Sequence, residues 1–276
     1  MIVTMGLDPF KTGDHVSNFD DYVAEYQARS EVSRKTLKML RNVSYGPGAN
    51  EKLDLFFPSA PVQGCPVHLF IHGGYWRMFS KDDFSFIADT VTTCGAIAAI
   101  MEYDLMPAVR MKKIVQQVRQ AFSWLHENAS HYGGDPQRLT ISGHSAGAHL
   151  ATFTFTVQQD IIPHSALLLS GVYDLEPLQK SFLKSLIALT DEEVRYFSPM
   201  RQQLSSAPNV SVVYGENETE PFKKQASSFS LHLTKSGAAN SIVELTSCNH
   251  MSAVRDLGIA HTRAGQLLQS TIQLVH

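Results

Sequence analysis

Cysteine is scarce in this chain. Cys65, Cys94 and Cys248 are odd in number and far apart, which supplies neither a disulfide framework nor a zinc site. Net charge is small as well: 23 basic and 26 acidic side chains leave −3 at pH 7. The chain therefore has no basic footprint for nucleic acid or an anionic membrane. No apolar run approaches the roughly 18 residues of a membrane span. The opening MIVTMGLDPFKTGDHVS lacks the charged-then-apolar pattern of a secretory signal. A cytoplasmic location is the expectation. With no repeat and no low-complexity linker, the 276 residues read as a single domain, 1–276, and a homodimer is left open. What is present is an ordinary globular composition, 43% hydrophobic and 18% charged, in a chain long enough to bury a sizeable core.

From about Asn18 to Leu40 the spacing of Phe19, Tyr22, Val23 and Tyr26 predicts a helix. It would form an N-terminal helical arm, about 1–42, packed on the main body. Val43–Tyr45 and Lys52–Phe57 read as strands joined by the turn-rich GPGAN. The apolar run Val67–Ile71 then ends in His72-Gly73-Gly74, as expected of a strand buried on both faces. Thereafter strand and helix alternate. Strands are expected over 96–101, 138–142, 166–169, 210–214 and 241–245, with helices over about 81–93 and 108–131 and from about 146, 220 and 252. A Leu-rich helical insertion, about 176–206, is a candidate cap. Such alternation specifies an α/β protein with a mainly parallel sheet flanked by helices.

Gly143-His144-Ser145-Ala146-Gly147 fits G-x-S-x-G between a strand (RLTIS) and a helix (AGAHLATFTF). In a nucleophile elbow the chain reverses at the serine, so both glycines must be small and the hydroxyl stands above the sheet. A serine nucleophile also needs amide donors for the oxyanion of its tetrahedral intermediate. Ala146 follows the nucleophile, and Gly73 and Gly74 form a loop in which backbone approaches substrate without a Cβ. Tyr75 and Trp76 come directly after, as candidate substrate-binding residues. For Trp76 a place in the core is an equal alternative. His72 reads as a buried hydrogen-bonding residue that shapes the loop.

The base should come last in the chain order serine, acid, histidine. Of 12 histidines, His250 stands just beyond a strand, in Ser247-Cys248-Asn249-His250. His232 and His261 fall within helices, His276 is terminal, and His144 and His149 adjoin the serine in the wrong geometry for a base. The acid is favoured at Glu218, three residues after Gly215 at the end of a strand. Glu216, Glu220 and Asp174 are rivals.

HGGYW, GGDPxRLxISGHSAGAHLA, SGVYDLEPL, GExExxxFxxQ and CNHM together resemble the kynurenine formamidase (arylformamidase) group of the α/β-hydrolases, in order from about Tyr45 to the C-terminal end. The resemblance implies an α/β-hydrolase fold, with Ser145 and His250 catalytic and Gly73 and Gly74 in the oxyanion hole. It also implies hydrolysis of a small aryl formamide, amide or ester such as N-formylkynurenine. No metal and no organic cofactor is expected, and the partner is a small-molecule substrate. A short-chain carboxylesterase is the alternative within the class. A non-catalytic ligand receptor on the same scaffold is the alternative outside it, and would be expected to lack one of the three residue types.

Overall fold

The computed structural model describes residues 6–60, 63–156, 160–204 and 208–273. His276, the first five positions of the expected arm and positions 205–206 of the expected insertion lie outside the described residues. Among those described, eight strands form one sheet: β1 (Lys38–Ser44), β2 (Lys52–Phe57), β3 (Cys65–Ile71), β4 (Ile97–Met101), β5 (Gly134–His144), β6 (Ser165–Leu169), β7 (Asn209–Gly215) and β8 (Asn240–Leu245). Their spatial order is β1-β2-β4-β3-β5-β6-β7-β8. β2 runs antiparallel to β1 and β4, and the pairs from β4 to β8 are parallel. This is the α/β-hydrolase fold.

Side chains alternate across the sheet and build a core on each face. On one face Leu69, Ile97, Ile141 and Leu168 pack with Ile114 and Val118 of α3 (Met111–Asn128) and Phe229 of α6 (Glu220–Lys235). On the other, Phe70, Ile100 and Leu169 pack with Tyr26 of α1 (Phe19–Thr36), Val91 of α2 (Ile87–Thr93), Val254 of α7 (His250–Leu257) and Leu268 of α8 (Arg263–Gln273). Every residue of β4 and β6 is buried, which is why their sequences are continuous apolar runs rather than alternating ones.

Two expectations need correction. The first helix ends at Thr36, not near Leu40, and 38–44 is an edge strand of the sheet rather than the end of an arm. Leu37 and Met39 pack on the second core and recur at period two. That signal is too short to be separated from the preceding helix by sequence. The insertion is also mostly tight turns, with one seven-residue helix, α5 (Asp191–Phe197), at its rear. Arg110 at the start of α3 binds Glu193 of α5 and the carbonyl of Ile187. This part of the insertion is thereby moored to α3. Among the described residues no helix is long and apolar enough to cross a membrane.

Candidate active site

The central strand β5 ends at His144, and α4 (Ala146–Ala151) begins after a single intervening residue, Ser145. So abrupt a reversal forces Ser145 to φ 55° and ψ −118°, a region that residues with a Cβ rarely occupy. The serine is held there because its amide donates to the carbonyl of Leu169 on β6, at 2.8 Å. The flanking glycines permit the turn. A Cβ on Gly147 would lie 2.0 Å from the carbonyl oxygen of Ile71, and one on Gly143 would lie 2.2 Å from that of Gly147. Ala146 heads α4, where the first amides have no intrahelical acceptor. Its N–H is thus available beside the serine.

The loop after β3 comes within van der Waals contact of this elbow. A Cβ on Gly73 would stand 2.9 Å from the carbonyl of His144 and 3.1 Å from Ser145 Cβ. His72 is fully buried below it, with Nδ1 2.8 Å from the Gly73 carbonyl and Nε2 3.2 Å from Glu102. Its ring stacks on Tyr103, whose hydroxyl donates to the His72 carbonyl at 2.9 Å. After Gly74 the two aromatic residues part company. Tyr75 lines a cavity together with Ser145 and His250. Trp76 does not: it is fully buried in the first core, and its Nε1–H donates to His149 Nδ1 at 3.2 Å. The candidate role of Trp76 in substrate binding is corrected accordingly. Its indole N–H finds a buried acceptor in His149, and the ring is not among the residues that line the cavity.

His250 opens α7. Asn249 caps that helix by accepting from the amides of Met251 and Ser252 at 2.9 and 2.8 Å. The histidine ring lies between His144 and Phe222, with centroids 4.6 and 4.5 Å away. Its Nδ1 is 3.1 Å from Glu218 Oε2. A hydrogen bond from Nδ1–H to this carboxylate leaves Nε2 as the acceptor nitrogen. The side chain of Glu218 is fully buried, and its other oxygen accepts from Gly215 N at 2.8 Å and from the hydroxyl of Ser170. The loops bearing the acid and the histidine are tied directly to each other. Asn217 N donates to the Cys248 carbonyl at 2.8 Å, and Ser247 N to Glu216 Oε2 at 2.7 Å.

The rival acids lie elsewhere. Glu216 is exposed and braces the histidine loop from outside, and Glu220 is exposed at the start of α6. Asp174 is half-exposed, accepts from Glu176 N at 3.2 Å and lies 3.7 Å from Arg201.

Three parts of the site went unread in the sequence. Ser170, at φ 55°, directly follows β6 and holds Glu218; the dipeptide Ser170-Gly171 after an apolar strand was its only signal. His144 donates from Nε2 to the His250 carbonyl at 3.0 Å, so it supports the histidine loop. Burial and the adjacent His250 hold His144 well below the usual histidine range, hence neutral. The strap ahead of α1 is the third. Thr12 and Gly13, with Phe19 of α1, form cavity walls, and from the insertion Phe182 does the same. The cavity measures about 180 Å³. An apolar cavity of about 150 Å³ accommodates one benzene ring, so this one has room for a ring and a few further atoms. Ser145 and His250 are both among its lining residues.

Residues 53–166 match the family model BD-FAE. The chain is 31% identical to the kynurenine formamidase of Danio rerio over 246 residues, 86% of this chain and 83% of that protein. It is 30% identical to the kynurenine formamidase of Salmo salar over 258 residues, 90% of this chain and 86% of that protein. Among solved structures, a provisionally assigned thioesterase of Silicibacter sp. TM1040 is similar at a TM-score of 0.82 and 25% identity. That match covers 97% of this chain and 99% of the other.

Proposed function

Since the chain belongs to the kynurenine formamidase group of α/β-hydrolases and is a hydrolase, we propose that it cleaves a small aryl formamide, of which N-formylkynurenine is the type, through an acyl-enzyme on Ser145. The observation that carries this reading is the Glu218–His250 pair at a cavity shared with Ser145, with room for about one ring. His250 Nε2 takes the proton of the Ser145 hydroxyl as Oγ attacks the carbonyl carbon. The amides of Ala146 and of the Gly73–Gly74 loop are the donors for the oxyanion. Imidazolium His250, stabilised by Glu218, returns the proton to the leaving aryl amine. Water, deprotonated by the same nitrogen, then releases formate and regenerates the serine.

A fluorophosphonate probe should label the wild type and not Ser145→Ala, and the variant should lose at least about 10³-fold in kcat while remaining folded. A panel of formanilides, N-formylkynurenine and p-nitrophenyl esters tests the substrate class. Formyl and acetyl substrates are expected to lead. A clear preference for octanoyl esters would remove the formamidase reading, and an equal rate on acetyl esters without formamide cleavage would make the protein a short-chain carboxylesterase.

A further inference from the structure

The strap and the insertion meet over the cavity at one side chain, Asp8. Its Oδ1 accepts from Phe10 N at 2.9 Å, and its Oδ2 accepts from the amide of Phe182, 174 positions away in the chain. The rest of the strap is tied to loops that build the site. The Tyr75 hydroxyl donates to the Phe10 carbonyl, and Thr219, next to Glu218, donates to the Pro9 carbonyl at 2.7 Å. Phe10 packs edge-on to Phe222 with centroids 6.0 Å apart. Phe182 in turn meets Tyr75 edge to face at 5.5 Å. The carboxylate of Asp8 is thus shared by the two segments that contribute Thr12, Gly13 and Phe182 to the cavity walls. A charged acceptor held by two backbone amides is a strong link between pieces of chain far apart in sequence.

We propose that Asp8 is a specificity-determining positioning residue: by clamping the strap to the insertion it keeps the cavity near 180 Å³ and so sets the upper size of the substrate. This rests on the function proposed above. Ligand pockets for drug-sized molecules span about 300–1,000 Å³, so the clamped cavity falls below that range, and the walls formed by the strap and Phe182 disfavour long or fused-ring substrates. Without the clamp, Phe182 and the strap are joined only through their separate contacts with Tyr75, and the roof can part there while the hydrogen bonds of Glu218 to His250, Gly215 and Ser170 remain.

The test measures kcat and KM for wild type, Asp8→Ala and Asp8→Asn on two series. One is p-nitrophenyl acetate, butanoate and octanoate; the other is formanilide against N-formylnaphthylamine. Asn keeps one acceptor for Phe10 N–H but turns a donor toward Phe182 N–H, so its effect should lie between wild type and Ala. In Asp8→Ala the ratio of kcat/KM, large over small substrate, should rise about tenfold or more on at least one series, through a lower KM for the large member. The kcat on acetate or formanilide should stay within about twofold of wild type. Folded variants with wild-type ratios on both series overturn the proposal. So does an equal fall on every substrate, which is what a merely structural role produces. The wild type is first labelled with the fluorophosphonate: absence of labelling at Ser145 would strike the serine-hydrolase reading itself, and is thereby distinguished from failure of the clamp.

Discussion

At the scale of single residues, what matters at Glu218 is where the carboxylate finds its donors. It is fully buried and shares three donors, His250 Nδ1, Gly215 N and Ser170 Oγ. Glu218→Gln turns an amide donor toward Nδ1–H or toward the other donors, and favours the wrong histidine tautomer. Such a loss can reach about 10⁴-fold in kcat. Asp174→Asn and Glu220→Gln should remain within a few fold, because neither carboxylate faces the histidine. Measuring kcat for all three variants on one substrate decides the matter, and a near-wild-type Glu218→Gln would move the acid elsewhere. Trp76 behaves differently. Trp76→Phe removes the donor to buried His149 and opens a small void, which should lower stability by about 1–3 kcal/mol. Its KM should be unchanged, since the ring does not line the cavity. A raised KM at unaltered melting temperature would return Trp76 to the binding site.

At the scale of elements, the site exists because strand ends are pressed together with little room for side chains. The contact of Gly147 with β3 is the tightest. A methyl group 2.0 Å from the Ile71 carbonyl meets backbone of a central strand, which cannot swing aside as a side chain would. Gly147→Ala should therefore cost at least about 3 kcal/mol, in the upper part of the range for overpacking. Gly13→Ala serves as a control, since a Cβ there meets only Phe19 Cγ at 4.0 Å. Urea unfolding of the two variants should separate them clearly. Equal midpoints would show that the elbow can relax and that the glycine is not needed for close approach.

At the scale of the whole molecule, several histidines are buried without charge. His68 on β3 lies between the hydroxyls of Thr140 and Ser142 of β5, at 2.7 and 2.6 Å, and burial pulls its pKa down to about 3. His149 accepts from Trp76 and donates to the Phe197 carbonyl; burial brings it to about 4. His144 is depressed as well. A histidine whose folded pKa is lowered binds its proton more tightly in the unfolded chain. Stability is therefore complete above the unfolded value of about 6.5 and is lost as pH falls from there toward the folded values. Each histidine contributes about 1 kcal/mol per pH unit across that window. Together the three rings remove about 4–5 kcal/mol by pH 5. Against a typical stability of about 5–15 kcal/mol, the protein is expected to be markedly less stable at pH 5 than at pH 7, and to unfold near or below pH 5 if its stability lies at the low end of that range. Chemical denaturation at pH 7, 6 and 5 checks this, and a flat profile would mean that the three rings are not buried neutral.

What the amino-acid sequence determined by itself was whatever depends on local pattern. Continuous apolar runs marked the buried strands β4 and β6, and G-x-S-x-G between a strand and a helix marked the elbow. The chain order of serine, acid and histidine singled out His250 and favoured Glu218, because in a doubly wound sheet the strand ends recur in a set sequence. Tertiary structure decided the rest, wherever a residue's role depends on which way a side chain faces or what lies opposite it. Whether Trp76 lines the cavity turned on a buried acceptor, His149, that is 73 positions away. Which carboxylate of this loop lies buried against His250 turned on Ser170 and Gly215, which hold Glu218 and leave Glu216 outside. Only the end of the strand at 38–44 was legible, at Val43 and Ser44; its start was hidden because Leu37 and Met39 carry too little periodicity to be told from the preceding helix. The roof over the cavity had no signature at all: Asp8 and Phe182 are coupled only because the fold brings the beginning of the chain over the insertion, and a contact across such a separation leaves no local trace.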